Sequence, residues 1–232
     1  MRFASVSIAY HEPRLIAPHL DHIPHWVEEN LVLVSATPWQ GEPLGFDKTP
    51  EIAEDHGGTV IIHDWPSEEV QRNAGQEYLY DYDWIIVLDP DEFLSERNWQ
   101  KLRIFLETAE GDAYVVDHQR VFYKDKEVSP HSDYQMLIAV RPSVRFIDKR
   151  VCDSAYDVAP IELLHMSWAR TDEEILSKIT HYAHAHELIP NWYTDVWKTN
   201  RVTNLHPKTP ETLKALIDPI LPPEIERLKL WP

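Results

Sequence analysis

The chain has 232 residues, 43% of them hydrophobic, and its 22 Lys and Arg against 39 Asp and Glu give a formal net charge of −17. This size predicts one domain with a full core, and the acidic charge disfavours binding to free nucleic acid or anionic lipid surfaces. A single cysteine excludes an internal disulfide framework and a multi-cysteine zinc site, and no apolar run is long enough to span a membrane, so we expect a cytoplasmic protein.

Strands and helices alternate through the first half of the chain. Apolar or β-branched runs predict strands over 3–9, 31–34, 59–63 and 84–88, with helices between them over 15–23, 50–56 and 68–80. Parallel strands need crossover connections, which are usually helical. The alternation therefore predicts an α/β fold with a mainly parallel sheet flanked by helices.

The second half has a different pattern. Short strands are predicted over 113–118, 120–123, 135–141 and 144–147, and their spacing favours antiparallel pairing. Thr171 and Glu174 form a capping-box pattern that opens a long helix, and Thr209-Pro210 opens another. No Gly- or Ser-rich linker divides the chain. We predict a main domain over 1–190 and a helical, proline-rich extension over 191–232 packed on it.

Three carboxylates follow the apolar strand that begins at Trp84. Pro90 cannot continue a sheet ladder, so the strand should stop near Asp89. The carboxylates then lie at the carboxyl end of a central strand, where open α/β sheets place their ligands. Asp89 and Asp91 are spaced to reach one divalent cation and its bound phosphates. An acidic turn after a strand is the alternative interpretation.

Other polar residues are predicted to line the same crevice. Tyr10, His11 and Glu12 follow the first strand, and Arg72 and Asn73 lie on the helix before the acidic strand. Because the carboxyl ends of parallel strands meet at one edge of the sheet, we expect these five side chains beside Asp89.

The order of these segments resembles a family 2 glycosyltransferase of the GT-A fold, which is a Rossmann-like mixed sheet. The likeness rests on segments 6–12, 72–75 and 84–94, and on the late strand 164–167, and it extends over residues 3–190. It implies a metal-dependent, inverting transfer of a sugar from a UDP- or GDP-type donor to an acceptor hydroxyl. Mn²⁺ or Mg²⁺ would hold the donor phosphates.

The resemblance also implies roles for individual residues. Asp91 would be the main metal ligand, and Asp89 would contact the ribose or the metal and its bound water. His165 would be a third metal ligand, which favours Mn²⁺ over Mg²⁺ because imidazole is a softer ligand. A core histidine with satisfied hydrogen bonds is the alternative for His165.

A base is needed to take the proton of the acceptor hydroxyl. Asp153 lies where members of the family often carry a carboxylate, with Asp157 and Asp133 as alternates. A solvated loop carboxylate is the competing interpretation. We expect the donor nucleotide against the amino-terminal half, and the acceptor against the aromatic segment 168–197. The sequence does not identify the acceptor.

His181, His184 and His186 invite a zinc hypothesis. On a straight helix His186 would face the core or the site, and His181 and His184 the opposite side, which disfavours one shared ion. Three other functions remain open. A haloacid-dehalogenase-like phosphatase or a nucleotidyltransferase would also use an Asp-x-Asp segment, and an inactive GT-A-like module would bind without catalysis.

Overall fold

The computed structural model describes residues 1–129, 135–200 and 215–231. The strands are β1 Phe3–Ala9, β2 Glu29–Ser35, β3 Thr59–His63, β4 Trp84–Val87, β5 Glu92–Phe93, β6 Ala113–Tyr123, β7 Lys126–Ser129, β8 Leu137–Val140, β9 Phe146–Asp148, β10 Val151–Cys152, β11 Asp157–Trp168 and β12 Ala215–Ile217. The helices are α1 Ile16–His22, α2 Thr49–Asp55, α3 Glu68–Tyr78, α4 Glu96–Leu106, α5 Asp172–His181 and α6 Pro223–Glu226. A 3-10 turn covers Ala185–Glu187 and a π-helical turn covers Tyr193–Trp197.

One large mixed sheet organises the molecule, and it confirms the predicted α/β class. Its first four strands are parallel in the order β3-β2-β1-β4, as in Rossmann-like sheets. Antiparallel β8 joins β4 to β6, and β11 runs parallel to β6. The order reverses between β1 and β4, and this reversal opens a crevice at their carboxyl ends.

The parallel strands form because their sequences suit burial on both faces. All residues of β1 and β4 are buried, with α1 and α4 on one face and α3 on the other. Helix α3 lies very close to the sheet, because a Cβ on Gly75 would stand 2.8 Å from Cγ2 of Val6. The glycine in this helix therefore serves close packing against the sheet.

Several elements differ from the sequence-based expectation. The two short strands predicted over 113–123 form the single strand β6, because buried Gln119 continues the ladder. The helix opened by Thr171 ends at His181 rather than continuing past His186. Antiparallel pairing holds for β6 with β8 and for β9 with β10, and β11, which was not among the short strands predicted to pair in this way, runs parallel to β6. The helix expected at Thr209-Pro210 lies outside the described residues.

The chain after residue 190 returns to the main body. Strand β12 pairs with β7, and Ile225 of α6 packs against the cluster that contains Phe93 and Phe122. In the described residues this segment therefore consists of the π-helical turn Tyr193–Trp197, strand β12 and the short helix α6.

Candidate active site

A cavity of about 1240 Å³ opens where the sheet order reverses, at the carboxyl ends of β1, β2 and β4. Strand β4 ends at Val87, and Pro90 lies in the turn between Asp89 and Asp91. Both aspartates line the cavity, as the sequence predicted for a ligand site. The walls come from both halves of the chain, because β9, β11 and α5 close the side opposite β1 and β2.

Asp89 is held by arginine side chains. Nη1 and Nη2 of Arg72 donate to its two oxygens at 3.2 and 2.8 Å, and Nη1 of Arg150 lies 3.5 Å from Oδ2. Arg72 is only 1% exposed and also donates to Glu68. Burial alone would raise the pKa of Asp89, but Arg72 and Arg150 outweigh it and lower that pKa. Asp89 is therefore an ionised carboxylate in a fixed position.

Asp91 has a different arrangement, in which its two oxygens face different groups. Oδ2 accepts hydrogen bonds from Nη2 of Arg170 and Nζ of Lys178, both at 2.9 Å. Oδ1 lies 3.6 Å from Nε2 of His165. Burial alone would raise the pKa of Asp91, but Lys178, His165 and Arg170 together hold it well below its usual value. Burial also raises the pKa of Glu12, although Arg170 opposes this shift.

The orientation of His165 is fixed by its other ring nitrogen. Nδ1 lies 3.1 Å from Oε1 of Gln119, and an amide oxygen only accepts, so Nδ1 carries a proton. Nε2 then faces Oδ1 of Asp91 at 3.6 Å, so either a proton on Nε2 or a metal ion can join the two atoms. This is the second-shell arrangement that metal-bound histidines use.

These residues fit a divalent cation that binds together with a substrate. Across the described ranges 1–129, 135–200 and 215–231, no group of three or more His, Cys, Asp or Glu is placed to hold a metal ion. Asp91 and His165 are two donors, and Mn²⁺ or Mg²⁺ at phosphate-transfer sites commonly takes its remaining ligands from phosphates and water. Arg72 binds both oxygens of Asp89, whereas Arg170 and Lys178 bind only Oδ2 of Asp91 and leave its Oδ1 facing His165.

The first predicted segment lines the cavity as expected. Glu12 accepts two hydrogen bonds from Arg170, and Tyr10 and His11 face the loop 41–47, here called the covering loop. Nε2 of His11 donates to the carbonyl oxygen of Gly45 at 2.6 Å, and the Tyr10 hydroxyl accepts from the backbone N–H of Leu44 at 3.0 Å. This loop therefore lies over one side of the cavity.

Two other predicted residues do not line the cavity. Asn73 points to β9, where its side-chain amide exchanges two hydrogen bonds of 2.9 Å with the backbone of Phe146. Asp153 is exposed and accepts from the backbone N–H of Arg145 at 2.9 Å. Of the alternates, Asp157 begins β11 outside the cavity wall, and Asp133 lies outside the described residues.

The expected facing of the three histidines is wrong. His186 is exposed, whereas His181 is buried and His184 lines the cavity. The physical reason is the end of α5 at His181, which breaks the helical phase on which the expectation depended. Both ring nitrogens of His181 face carbonyl oxygens, those of Ser177 and Glu42, so both bonds form together only when the ring carries two protons.

The sequence analysis missed three cations that dominate the site. Arg150 donates to Glu92 and to the carbonyl oxygen of Val87 at the end of β4. Arg170 and Lys178 hold Asp91 from 79 and 87 residues away in the chain. The only local signal was the position of Arg170 just before the capping box at Thr171.

No family model matches the sequence. A TPR repeat-containing protein of Synechococcus elongatus is 31% identical over 100 residues, which is 43% of this chain and 24% of that protein. The chain thus spans about a quarter of the length of this curated relative. Within the three described ranges, no helix combines the length and apolar character needed to cross a membrane.

Solved structures give weak likenesses. TarS of S. aureus has a TM-score of 0.46 at 12% identity, covering 88% of this chain and 45% of that one. Its 1–349 fragment in complex with UDP-GlcNAc has a TM-score of 0.47 at 12% identity, covering 76% and 64%. A 4-diphosphocytidyl-2C-methyl-D-erythritol synthase of Anaerococcus prevotii has a TM-score of 0.44 at 12% identity, covering 76% and 93%. With every one of these scores below 0.5, the fold description rests on the strand order alone.

Proposed function

We propose that the protein is a glycosyltransferase that uses a nucleotide-sugar donor of the UDP or GDP type together with Mn²⁺ or Mg²⁺. The observation that carries this proposal is the pair formed by Asp91 and His165, which face each other at the switch point of a Rossmann-like sheet. When bound, the metal would neutralise the charge that develops on the leaving diphosphate.

The charge of the cavity supports a cation-bound substrate. Among the described residues, ten carboxylate side chains line it, against five side chains from Arg and Lys. A free diphosphate would be repelled by this excess, whereas a diphosphate complexed with a divalent cation would not. Tyr10, His11, Glu12 and Arg72 are proposed to border the donor on the amino-terminal side.

The phosphatase alternative has less support from the geometry. Such an enzyme needs a carboxylate free to attack phosphorus, and both oxygens of Asp89 accept from Arg72. A carboxylate bound to a guanidinium is a poor nucleophile because its charge is already compensated.

We place the catalytic base among the cavity carboxylates that have no cation. In the described residues, Asp148 and Glu173 line the cavity without a hydrogen bond or ion pair to their carboxylates. Both carboxylates are exposed; Asp148 lies two residues before Arg150, whose guanidinium reaches the end of β4, and Glu173 lies on the first turn of α5. We propose Asp148 as the base in place of Asp153, the candidate from the sequence, because Asp148 lines the cavity and Asp153 does not.

The proposal is tested by titration and by turnover. UDP and GDP are titrated calorimetrically with and without Mn²⁺, and a panel of nucleotide sugars is assayed for release of nucleoside diphosphate. We expect binding to depend on Mn²⁺ and to be lost in Asp91→Asn, which keeps the fold because the amide is nearly isosteric. Free phosphate released from simple esters, with no diphosphate released from any nucleotide sugar, would favour the phosphatase.

A further inference from the structure

Two cations share one oxygen of Asp91, and they are held in different ways. Arg170 also donates two hydrogen bonds to Glu12, at 2.8 and 2.9 Å, and a third to the carbonyl oxygen of Ser167. Its guanidinium is thus fixed whether or not Asp91 accepts from it. Lys178 contacts no carboxylate other than Asp91 among its hydrogen bonds.

The ammonium of Lys178 has a second anchor that does not involve charge. Nζ donates to Oγ and to the carbonyl oxygen of Ser167, at 2.9 and 3.1 Å. All three of its protons therefore have acceptors. An ammonium on a four-carbon stem can exchange the Asp91 contact for another anion nearby while these two bonds remain, because Lys binds as a compact point charge.

We infer that Lys178 is an internal counter-cation that occupies Asp91 until a nucleoside diphosphate arrives, so that the metal ion binds with the diphosphate and not before it. The inference rests on the proposed function and concerns the order of binding at the same site. A divalent cation approaching Asp91 alone meets the charges of Lys178 and Arg170 within 2.9 Å of the same carboxylate. A diphosphate brings the negative charge that offsets this repulsion and offers oxygens to the Lys178 ammonium.

The order of binding has a thermodynamic consequence. If the two ligands bind favourably only together, each raises the affinity of the other by the same factor. Removal of the Lys178 charge should raise the affinity for Mn²⁺ alone and so reduce this coupling. Among the described residues, Lys178 makes its carboxylate hydrogen bond to Asp91, so a second cavity lysine that does not contact Asp91 offers a matched control. Lys149 contacts Glu187 and His184 instead.

The test measures Mn²⁺ binding to the full chain by electron paramagnetic resonance of free Mn²⁺, with and without UDP or GDP. In the wild type we expect weak binding of Mn²⁺ alone and much tighter binding with a diphosphate. Lys178→Gln should tighten binding of Mn²⁺ alone by about tenfold or more, since one unit of charge near Asp91 is removed. Lys178→Arg, which keeps the charge, and Lys149→Gln should show no such gain.

Each outcome separates the inference from the function it rests on. Unchanged affinity for Mn²⁺ alone in a folded Lys178→Gln protein would overturn the role of Lys178. If Lys178→Gln does not fold, Lys178→Met keeps the apolar stem and takes its place. Equally tight Mn²⁺ binding by the wild type with and without diphosphate also overturns the inference. No Mn²⁺ binding by the wild type under any condition would instead refute the metal-dependent function.

Discussion

The two aspartates of the turn after β4 lie in the same cavity but in different surroundings. Asp89 gives both oxygens to the guanidinium of Arg72, which is buried and shared with Glu68. Asp91 gives one oxygen to two cations and turns the other towards Nε2 of His165. The comparison indicates that the Asp89 side is a fixed support, and it is the Asp91 side at which we propose that ligands exchange.

The largest effect should come from Asp148, a carboxylate that belongs to neither the Asp89 side nor the Asp91 side of the cavity. Asp148→Asn is expected to reduce turnover by roughly 10²–10⁴-fold, the usual contribution of a general base, with the affinity for UDP and Mn²⁺ nearly unchanged. Asp153→Asn is the matched control and should turn over normally, because its carboxylate lies outside the cavity wall. Steady-state rates with an active nucleotide sugar decide between them, and the reverse result would restore Asp153 as the base.

The second-largest effect is a loss of stability, and it tests the Asp89 side of the cavity. Arg72→Met leaves Asp89 and Glu68 without their main counter-cation, and removal of one partner of a buried pair costs about 3–5 kcal/mol of stability. Arg103→Met is the control, since Arg103 and Glu107 form an exposed helical pair worth about 0.3–0.5 kcal/mol. Urea unfolding measures both. Similar small losses in the two variants would mean that Asp89 does not depend on Arg72.

The third effect concerns His19, a buried residue that contacts the backbone just after the turn carrying Asp89 and Asp91. His19 donates from Nδ1 to the carbonyl oxygen of Glu92 and accepts from Ser7, and burial lowers its pKa from 6.5 to about 4. As the pH falls, His19 is therefore protonated in the unfolded chain before it is protonated in the folded protein. The contribution of His19 is complete above pH 6.5 and is lost between pH 6.5 and 4, in total about 3 kcal/mol.

Urea unfolding at several pH values checks this linkage. His19→Gln removes the titrating group, so its unfolding free energy should fall less steeply between pH 6.5 and 4 than that of the wild type. Equal slopes in the two proteins would show that His19 titrates in the folded state as it does in the unfolded chain.

The smallest effect tests the helix that carries Lys178. Thr171 caps α5 and Ser95 caps α4, each by accepting from a backbone N–H at 3.1 Å. Thr171→Ala and Ser95→Ala should each lower stability by about 1 kcal/mol. We expect only Thr171→Ala to change Mn²⁺-dependent UDP affinity as well, because only α5 reaches Asp91. Equal binding in both variants would mean that the end of α5 does not position Lys178.

The parts of this arrangement that the sequence predicted are those with local causes. Strands 3–9 and 59–63 have the predicted bounds, because a run of apolar and β-branched residues is read directly from the chain. The capping box at Thr171 forms as predicted, since both partners lie within one turn. The acidic turn at the end of β4 was predicted because Pro90 excludes a continued ladder.

The parts that the sequence did not predict depend on distant partners. Nothing near Lys178 indicates that its ammonium reaches Asp91, and the choice of Arg72 over a metal ion for Asp89 depends on how α3 packs on the sheet. The early end of α5 at His181 has no glycine or proline to signal it. At this helix end the ring of His181 binds the carbonyl oxygen of Glu42, which lies in the covering loop and is distant in sequence.

That loop is held mostly through its main chain, with the Asp47 side chain, 3.6 Å from Nδ1 of His11, as an added contact. Tyr10, His11 and His181 contact a backbone N–H and two carbonyl oxygens, while the side chains of Leu44 and Phe46 are exposed. Substitutions at such exposed positions leave all three bonds in place. Gly41 is the exception, with φ of +72° and the carbonyl oxygen of Thr180 only 2.9 Å from where a Cβ would lie. The shape and polarity of this rim can thus be changed at Leu44 and Phe46 without loss of the bonds that hold the loop in place.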